Sequence, residues 1–405
     1  MKPGKTPRLA VTGIGVVSPF GTDVGELLDA IAAGRFAIKD VSPTGSPDRK
    51  IPVVHCDSFD ATEFLPAMRV RRWDPCSRFA AVSSLLALRS AGLSTPGGER
   101  IGILAGTWSA GATPLADFLS TMYTVNPEAA PPILFPFTVA NAPASQAAIE
   151  LGLKGPISTL SHRSVVFADS LLYAGILLAD GRADAVVVLA TDEVNPTYLR
   201  AWDELRIVVA PGREGFVLGE GSYAVVVELP EMALRRKAPI RALISGIGFA
   251  HADSGPHEYG RDPAAFAASD REALQRANHS PSEIDFIVLS DNGRTPEAQA
   301  ERDGLDQVWK SSIPYTVRWK TALGEGAGPC AGQAVVAIAA LERGNLPHDR
   351  GGALPGSKLA PPENPTVGLV HFSGAGGAHF SVVVERPSES METIVIPLPI
   401  LPLQK

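Results

Sequence analysis

The chain has 405 residues, a net charge of −7, 45% hydrophobic residues and 20% charged ones. That length holds one large core or two medium ones, and the composition is that of an ordinary globular protein. The acidic balance excludes a broad nucleic-acid-binding face, which needs a basic surface.

Cys56, Cys76 and Cys330 stand far apart and form no C-x-x-C pair. Neither a disulfide framework nor a zinc site is expected, and a reducing cytoplasm is the expected location. The N-terminal MKPGKTPRLAVTGIG has basic residues but no apolar stretch of signal-peptide length. No apolar run reaches membrane-spanning length, so no membrane association is expected.

In chain order, LAVTGIGVVSP (Leu9 to Pro19) reads as an apolar strand followed by a Gly-x-Gly turn. Residues 77–92 read as a helix and 101–107 as a strand. The segment 164–181 reads as a helix that is apolar nearly all the way round, which belongs inside the protein. Residues 185–191 read as a strand, and Gly215 to Pro230 as a glycine-rich loop leading into a VVVE strand. The pattern then repeats. ALISGIGFAHA (Ala242 to Ala252) echoes the first strand, 286–291 is a short strand, and 331–344 is a second apolar helix. HFSGAGGAHFSVVVERP (His371 to Pro387) echoes the glycine-rich loop and VVVE strand. Two related halves are expected, 1–235 and 236–390, followed by a proline-rich apolar tail at 391–405. Alternating strands and helices make the fold class α/β. Two buried central helices suggest a five-layer α-β-α-β-α sandwich.

GPISTLSHRSVVFAD (Gly155 to Asp169) places Ser164 at the start of the first buried helix, where backbone N–H groups point toward bound oxyanions. Ser164 is then either an N-cap or a nucleophile, which would need an adjacent base. His162, His371 and His379 match no ligand spacing, and no metal is expected.

The ordered features resemble the β-ketoacyl-ACP synthases of the thiolase superfamily. They are VTGIGVVSPFG at 11–21, TVANAPASQAAIELGLKGP at 138–156, ADGRADAVVVLATDE at 179–193, REGFVLGEG at 213–221, the Lys320 region and the glycine-rich loop at 373–377. The resemblance implies the thiolase fold and a role in decarboxylative condensation on an acyl carrier protein, with no cofactor. That chemistry needs a thiolate at a helix N-terminus and two histidines to stabilise the enolate oxygen.

Position by position, the resemblance puts Ser164 where the family has its cysteine. Asn292 and Glu325 stand where it has its histidines, Lys320 is retained, and Ala375 replaces a gating phenylalanine. Loss of nucleophile and bases together implies a non-catalytic chain length factor (KSβ) of a type II polyketide synthase. Such a subunit pairs with an active ketosynthase, and acyl-ACP is its further partner. Alternatives are a divergent acyltransferase or hydrolase using Ser164, and a homodimeric acyl-ACP-binding scaffold. The resemblance also makes Phe118, Thr121 and Met122 candidate tunnel gates, with ordinary helix packing as the alternative. It makes Phe135, Phe137, Asn141, Ser158 and Leu160 interface candidates. Arg69, Arg71 and Arg72 form either a carrier-protein docking patch, since carrier proteins are acidic, or a solvated loop.

Overall fold

The computed structural model describes residues 7–209, 212–310, 312–347, 354 and 356–388. The apolar tail expected at 391–405 lies outside them. The strands of the first half are β1 (Leu9–Val17), β2 (Ile38–Val41), β3 (Ile51–Val54), β4 (Ile101–Gly106), β5 (Ile157–Leu160), β6 (Ala185–Asp192), β7 (Leu218–Gly219) and β8 (Gly221–Glu228). Those of the second are β9 (Ala242–His251), β10 (Phe286–Val288), β11 (Tyr315–Val317), β12 (Val367–Ser373) and β13 (Ala378–Glu385). Ten of them form one sheet in the order β11-β10-β12-β13-β9-β1-β8-β6-β4-β5, while β2, β3 and β7 form a separate small sheet.

The large sheet is one pattern used twice. Outward from the centre, β1-β8-β6-β4-β5 corresponds to β9-β13-β12-β10-β11. Each half has two antiparallel pairings followed by two parallel ones. Within the large sheet the halves join where Leu9–Val11 pairs with Ala242–Ile244.

Two helices fill the middle layer, Val166–Ala179 and Ala327–Arg343. Their side chains, including Phe167, Leu171, Val335 and Val336, share one core with Val186 and Val225 of the first half and Val370 and Val382 of the second. An all-round apolar sequence follows from having a sheet on each side. The outer face of the first half is covered by Pro75–Ser90 and Ala142–Leu151, and that of the second by Pro263–Ala277 and Thr295–Trp309. The five-layer sandwich is the thiolase fold.

The Gly-x-Gly segments are not turns, contrary to expectation. Gly13 and Gly15 lie inside β1, and Gly246 and Gly248 inside β9. A Cβ on Gly15 would stand 2.0 Å from the Ser83 carbonyl oxygen, and one on Gly248 would stand 1.9 Å from that of Ser269. The glycines let an outer helix press directly on the strand backbone, and the sequence repeat records the same close approach in both halves.

Candidate functional site

The edge strand β5 delivers the chain to Ser161 and His162. Arg163 then takes a positive φ of 52°, and a short 3₁₀ turn, Arg163–Val165, leads into the buried helix. Ser164 is fully buried. It does not cap that helix: the N-cap is Val165, with no side-chain cap bond. Its Oγ instead donates to Glu325 Oε1. A carboxylate is a stronger acceptor for the hydroxyl proton than any neutral group nearby.

Glu325 is set by its neighbours. Gly324 and Gly326 have φ of 86° and 156°, where a side chain is strained. A Cβ on Gly324 would stand 2.6 Å from Gly219 Cα. The Glu325 N–H donates to the Val217 carbonyl at 2.7 Å and its carbonyl accepts from Gly219 N–H at 3.0 Å, fixing the side chain against β7. Glu325 Oε2 pairs with Lys320 Nζ at 2.9 Å. Lys320 Nζ also donates to the Ser290 carbonyl at 3.0 Å and to Ser290 Oγ at 3.2 Å, so all three of its donors are used. Burial opposes the ammonium charge, and Cys330 and Glu325 outweigh it, holding Lys320 above its ordinary range. Cys330, one turn into the second buried helix, is no substitute nucleophile. Burial, and then Glu325, push its thiol up to about 12.

The polar path continues away from Ser164. The Ser290 N–H donates to Glu301 Oε1 at 2.7 Å, which also meets His371 Nδ1 at 2.8 Å; His371 Nε2 faces Asp270 Oδ1 at 2.9 Å. Burial works against a charged His371, but Asp270 and Glu301 prevail and raise it to about 10. His379 has no hydrogen-bond partner at either nitrogen and lies 3.9 Å, centroid to centroid, from the Phe266 ring. Burial, followed by His371, lowers it to about 3. His162 lies outside this network, paired with Asp169 on the exposed side of the helix start.

Glu325 therefore meets both Ser164 and Lys320 directly. Asn292 shares with Lys320 and Glu325 the wall of a cavity of about 250 Å³, and its Oδ1 is buried without a partner. Ala375 is buried in the β12–β13 turn, beside Tyr259 and Phe216. On the other side of Glu325 opens a larger cavity of about 430 Å³. Trp108, Tyr198, Trp202 and Leu218 give it an apolar wall, with Trp108 and Trp202 edge to face at 4.6 Å. Glu325 lies on the wall of both cavities.

Phe118, Thr121 and Met122 do not line the larger cavity; of their stretch only Trp108 and Ser109 do. They lie half-buried on the helix Ala112–Thr124, where Phe118 packs on Phe135 with ring centroids 6.0 Å apart. Phe135 is 62% exposed and Asn141 is exposed, while Ser158 and Leu160 are half-buried on the sheet-edge strand β5. Phe137 is corrected to a core residue. The 3₁₀ turn Pro132–Phe137 points it into the cluster with Phe79 and Leu85, at 8% exposure. Of the basic cluster, Arg69 is paired with Glu150 at 2.7 Å, Arg71 lines a third cavity, and Arg72 is exposed.

Sequence reasoning missed Asp192 and Glu193 at the end of β6. Two consecutive acids closing a largely apolar strand were the available signal. Asp192 is fully hydrogen-bonded: Oδ1 accepts from Trp108 and Ser109 N–H at 2.7 and 2.9 Å, and Oδ2 from Ala327 and Gly328 N–H. It ties the loop after β4 to the start of the second buried helix.

Residues 6–233 match the model of the beta-ketoacyl synthase N-terminal domain. The chain belongs to the beta-ketoacyl synthase family. It is 28% identical to the tetracenomycin polyketide synthase ketoacyl synthase alpha subunit of Streptomyces glaucescens, over 95% of this chain and 98% of that one. It is 28% identical to 3-oxoacyl-[acyl-carrier-protein] synthase 2 of Coxiella burnetii, over 69% and 72%. In structure it is similar to the ishigamide ketosynthase/chain length factor, with a TM-score of 0.83 at 22% identity over 95% of this chain and 100% of that one. A type II polyketide synthase acyl-carrier protein in complex with its hexaketide-bound ketosynthase gives a TM-score of 0.81 at 19% identity, over 95% and 100%. No helix among the described residues is long and apolar enough to cross a membrane.

Proposed function

We propose that this chain is the chain length factor of a type II polyketide system, a non-catalytic subunit that pairs with an active ketosynthase and shapes the cavity for the acyl chain growing on a carrier protein. The observation that carries this reading is the Ser164–Glu325–Lys320 cluster. Condensation by this family's chemistry needs a thiolate nucleophile and donors for a developing oxyanion. Here a hydroxyl stands in the nucleophile's place, and an acidic side chain already paired to a lysine stands where a donor is needed. Glu325 lies on the wall of both cavities beside this cluster.

The exposed apolar side chains Tyr123, Ile133, Phe135, Ile149 and Ile157 support a protein partner. Native mass spectrometry of the chain co-expressed with its neighbouring ketosynthase tests the assignment. A one-to-one heterodimer is expected, and a homodimer that ignores the ketosynthase refutes it in favour of the scaffold reading.

One observation favours a second reading. Glu325 gives the Ser164 hydroxyl a proton acceptor, as an acyl-serine mechanism requires. Against it stand the pairing of that acceptor with Lys320 and the complete burial of Ser164. Intact-mass detection of an acyl adduct from an acyl thioester, abolished by Ser164→Ala, would establish this reading instead.

A further inference from the structure

Glu193 stands at the partition between two cavities. The larger cavity described above, of about 430 Å³, and the third, of about 420 Å³, which Arg71 lines, share only Glu193 and Val194 in their walls. Glu193 is 5% exposed. Its Oε1 accepts from the Thr113 N–H at 2.9 Å, and its Oε2 is buried with no hydrogen-bond partner. The neighbouring polar groups on the larger cavity's wall are already satisfied. Ser109 Oγ bonds Asp192 and the Glu193 carbonyl, and Asn195 bonds Thr113 Oγ1 and the N–H groups of Thr197 and Tyr198. Oε2 is therefore the one carboxyl oxygen of this wall left without a bond. A buried polar atom of this kind calls for a partner.

We propose that Glu193 reads the oxygenation of the acyl chain: its Oε2 hydroxyl donates a hydrogen bond to a ketone carbonyl of a chain lying in the larger cavity. This rests on the proposed function for the presence of an acyl chain, and adds the residue that would distinguish a keto-bearing chain from a fully reduced one.

The carboxyl group is suited to donate. Burial pushes Glu193 up to about 8, so it carries its proton at neutral pH. The groups facing it sustain that state. Asp74 and Cys76 lie at the start of the helix Pro75–Ser90, Asp192 on β6, Glu220 beside β8 and Tyr198 on Pro196–Glu204, all acidic or neutral. Of the cationic candidates, Arg163 and His257 line the larger cavity, and His55, Arg71 and Arg78 line the other; Asp74 and Glu220 are the charged groups that act on Glu193, and both raise it. A neutral carboxylic acid with one oxygen bonded to a backbone N–H has its O–H free for a carbonyl acceptor, which a saturated chain does not offer.

The test uses the full-length chain as purified, with its ketosynthase where the two co-purify. Pantetheine amides of equal chain length are compared, one saturated and others bearing a single ketone moved along the chain. Binding is followed by quenching of Trp108 and Trp202, which line the cavity. At pH 7 the best-placed ketone is expected to bind about tenfold tighter than the saturated chain, the scale of one hydrogen bond. Glu193→Met abolishes the difference, and Glu193→Gln, which keeps a donor, retains it. In the unsubstituted chain the preference fades as pH rises through about 8 and the carboxyl ionises, whereas in Glu193→Gln it does not. Should Glu193→Met fail to fold, the ketone comparison and its pH profile decide alone. Equal binding of saturated and ketone chains, or a preference that survives in Glu193→Met, overturns the proposal while leaving an acyl cavity in place. Binding of neither chain overturns the acyl-cavity reading as well.

Discussion

Lys320→Met removes one partner of a buried ion pair and keeps most of the side-chain volume. In the folded protein Lys320 and Glu325 are 4% and 1% exposed, so neither solvent nor another cation can replace the lost ammonium. Breaking a buried pair from one side costs about 3–5 kcal/mol, mostly the penalty of an unpaired buried charge. Unfolding entropy scales at roughly 2.1 cal/mol/K per residue. Over 405 residues, that cost lowers the melting temperature by about 4–6 °C.

The assay is calorimetry or circular dichroism melting of the variant beside the unsubstituted chain. Lys320→Met combined with Glu325→Gln removes both charges while leaving an acceptor for the Ser164 hydroxyl, and should recover at least half of the loss. A Lys320→Met melting point within about 1 °C of the original would refute the reasoning, because the carboxylate would then have to be solvated or already neutral.

Three further outcomes follow from the same geometry. The His371 pKa is raised in the fold to about 10, so its contribution is complete below its unfolded value of about 6.5 and is lost as pH rises through 10. Melting temperature should therefore decline between pH 7 and 10, and more steeply in the unsubstituted chain than in His371→Asn; equal slopes would remove His371 as the cause. Phe137→Ala should cost about 3–5 kcal/mol as a core truncation, whereas Phe135→Ala leaves the melting point unchanged and weakens subunit association, measured by native mass spectrometry. Ser164→Cys should stay unlabelled by iodoacetamide in the native state, since the new thiol would be buried against a carboxylate; stoichiometric labelling read by intact mass would contradict the burial of this position.

The duplicated pattern was legible because each half repeats the same physical demands. GIG in β1 and β9 records helix-on-strand contact, VVVE in β8 and β13 a strand buried on both faces, and the apolar segments at 166–179 and 327–343 a middle layer. Their meaning was less legible than their presence. Gly-x-Gly reads equally as a turn until a carbonyl oxygen is found 2.0 Å from where a Cβ would be. Element types survived because they depend on local periodicity, while the function of a glycine depends on what packs against it.

The site shows the same division. The identities of Ser164, Asn292, Lys320 and Glu325 are fixed by the chain alone, and with them the absence of a cysteine or histidine at those positions. Only tertiary structure put the hydroxyl of Ser164 onto Glu325, 161 residues away in sequence, instead of onto the helix end beside it. It also turned Phe137 inward while Phe135 faces out, and set Glu193 between two cavities. Those outcomes are contests between partners for one proton, one apolar pocket or one hydrogen bond. The competitors meet only when distant segments are brought together, so a linear pattern carries the candidates and the fold selects among them.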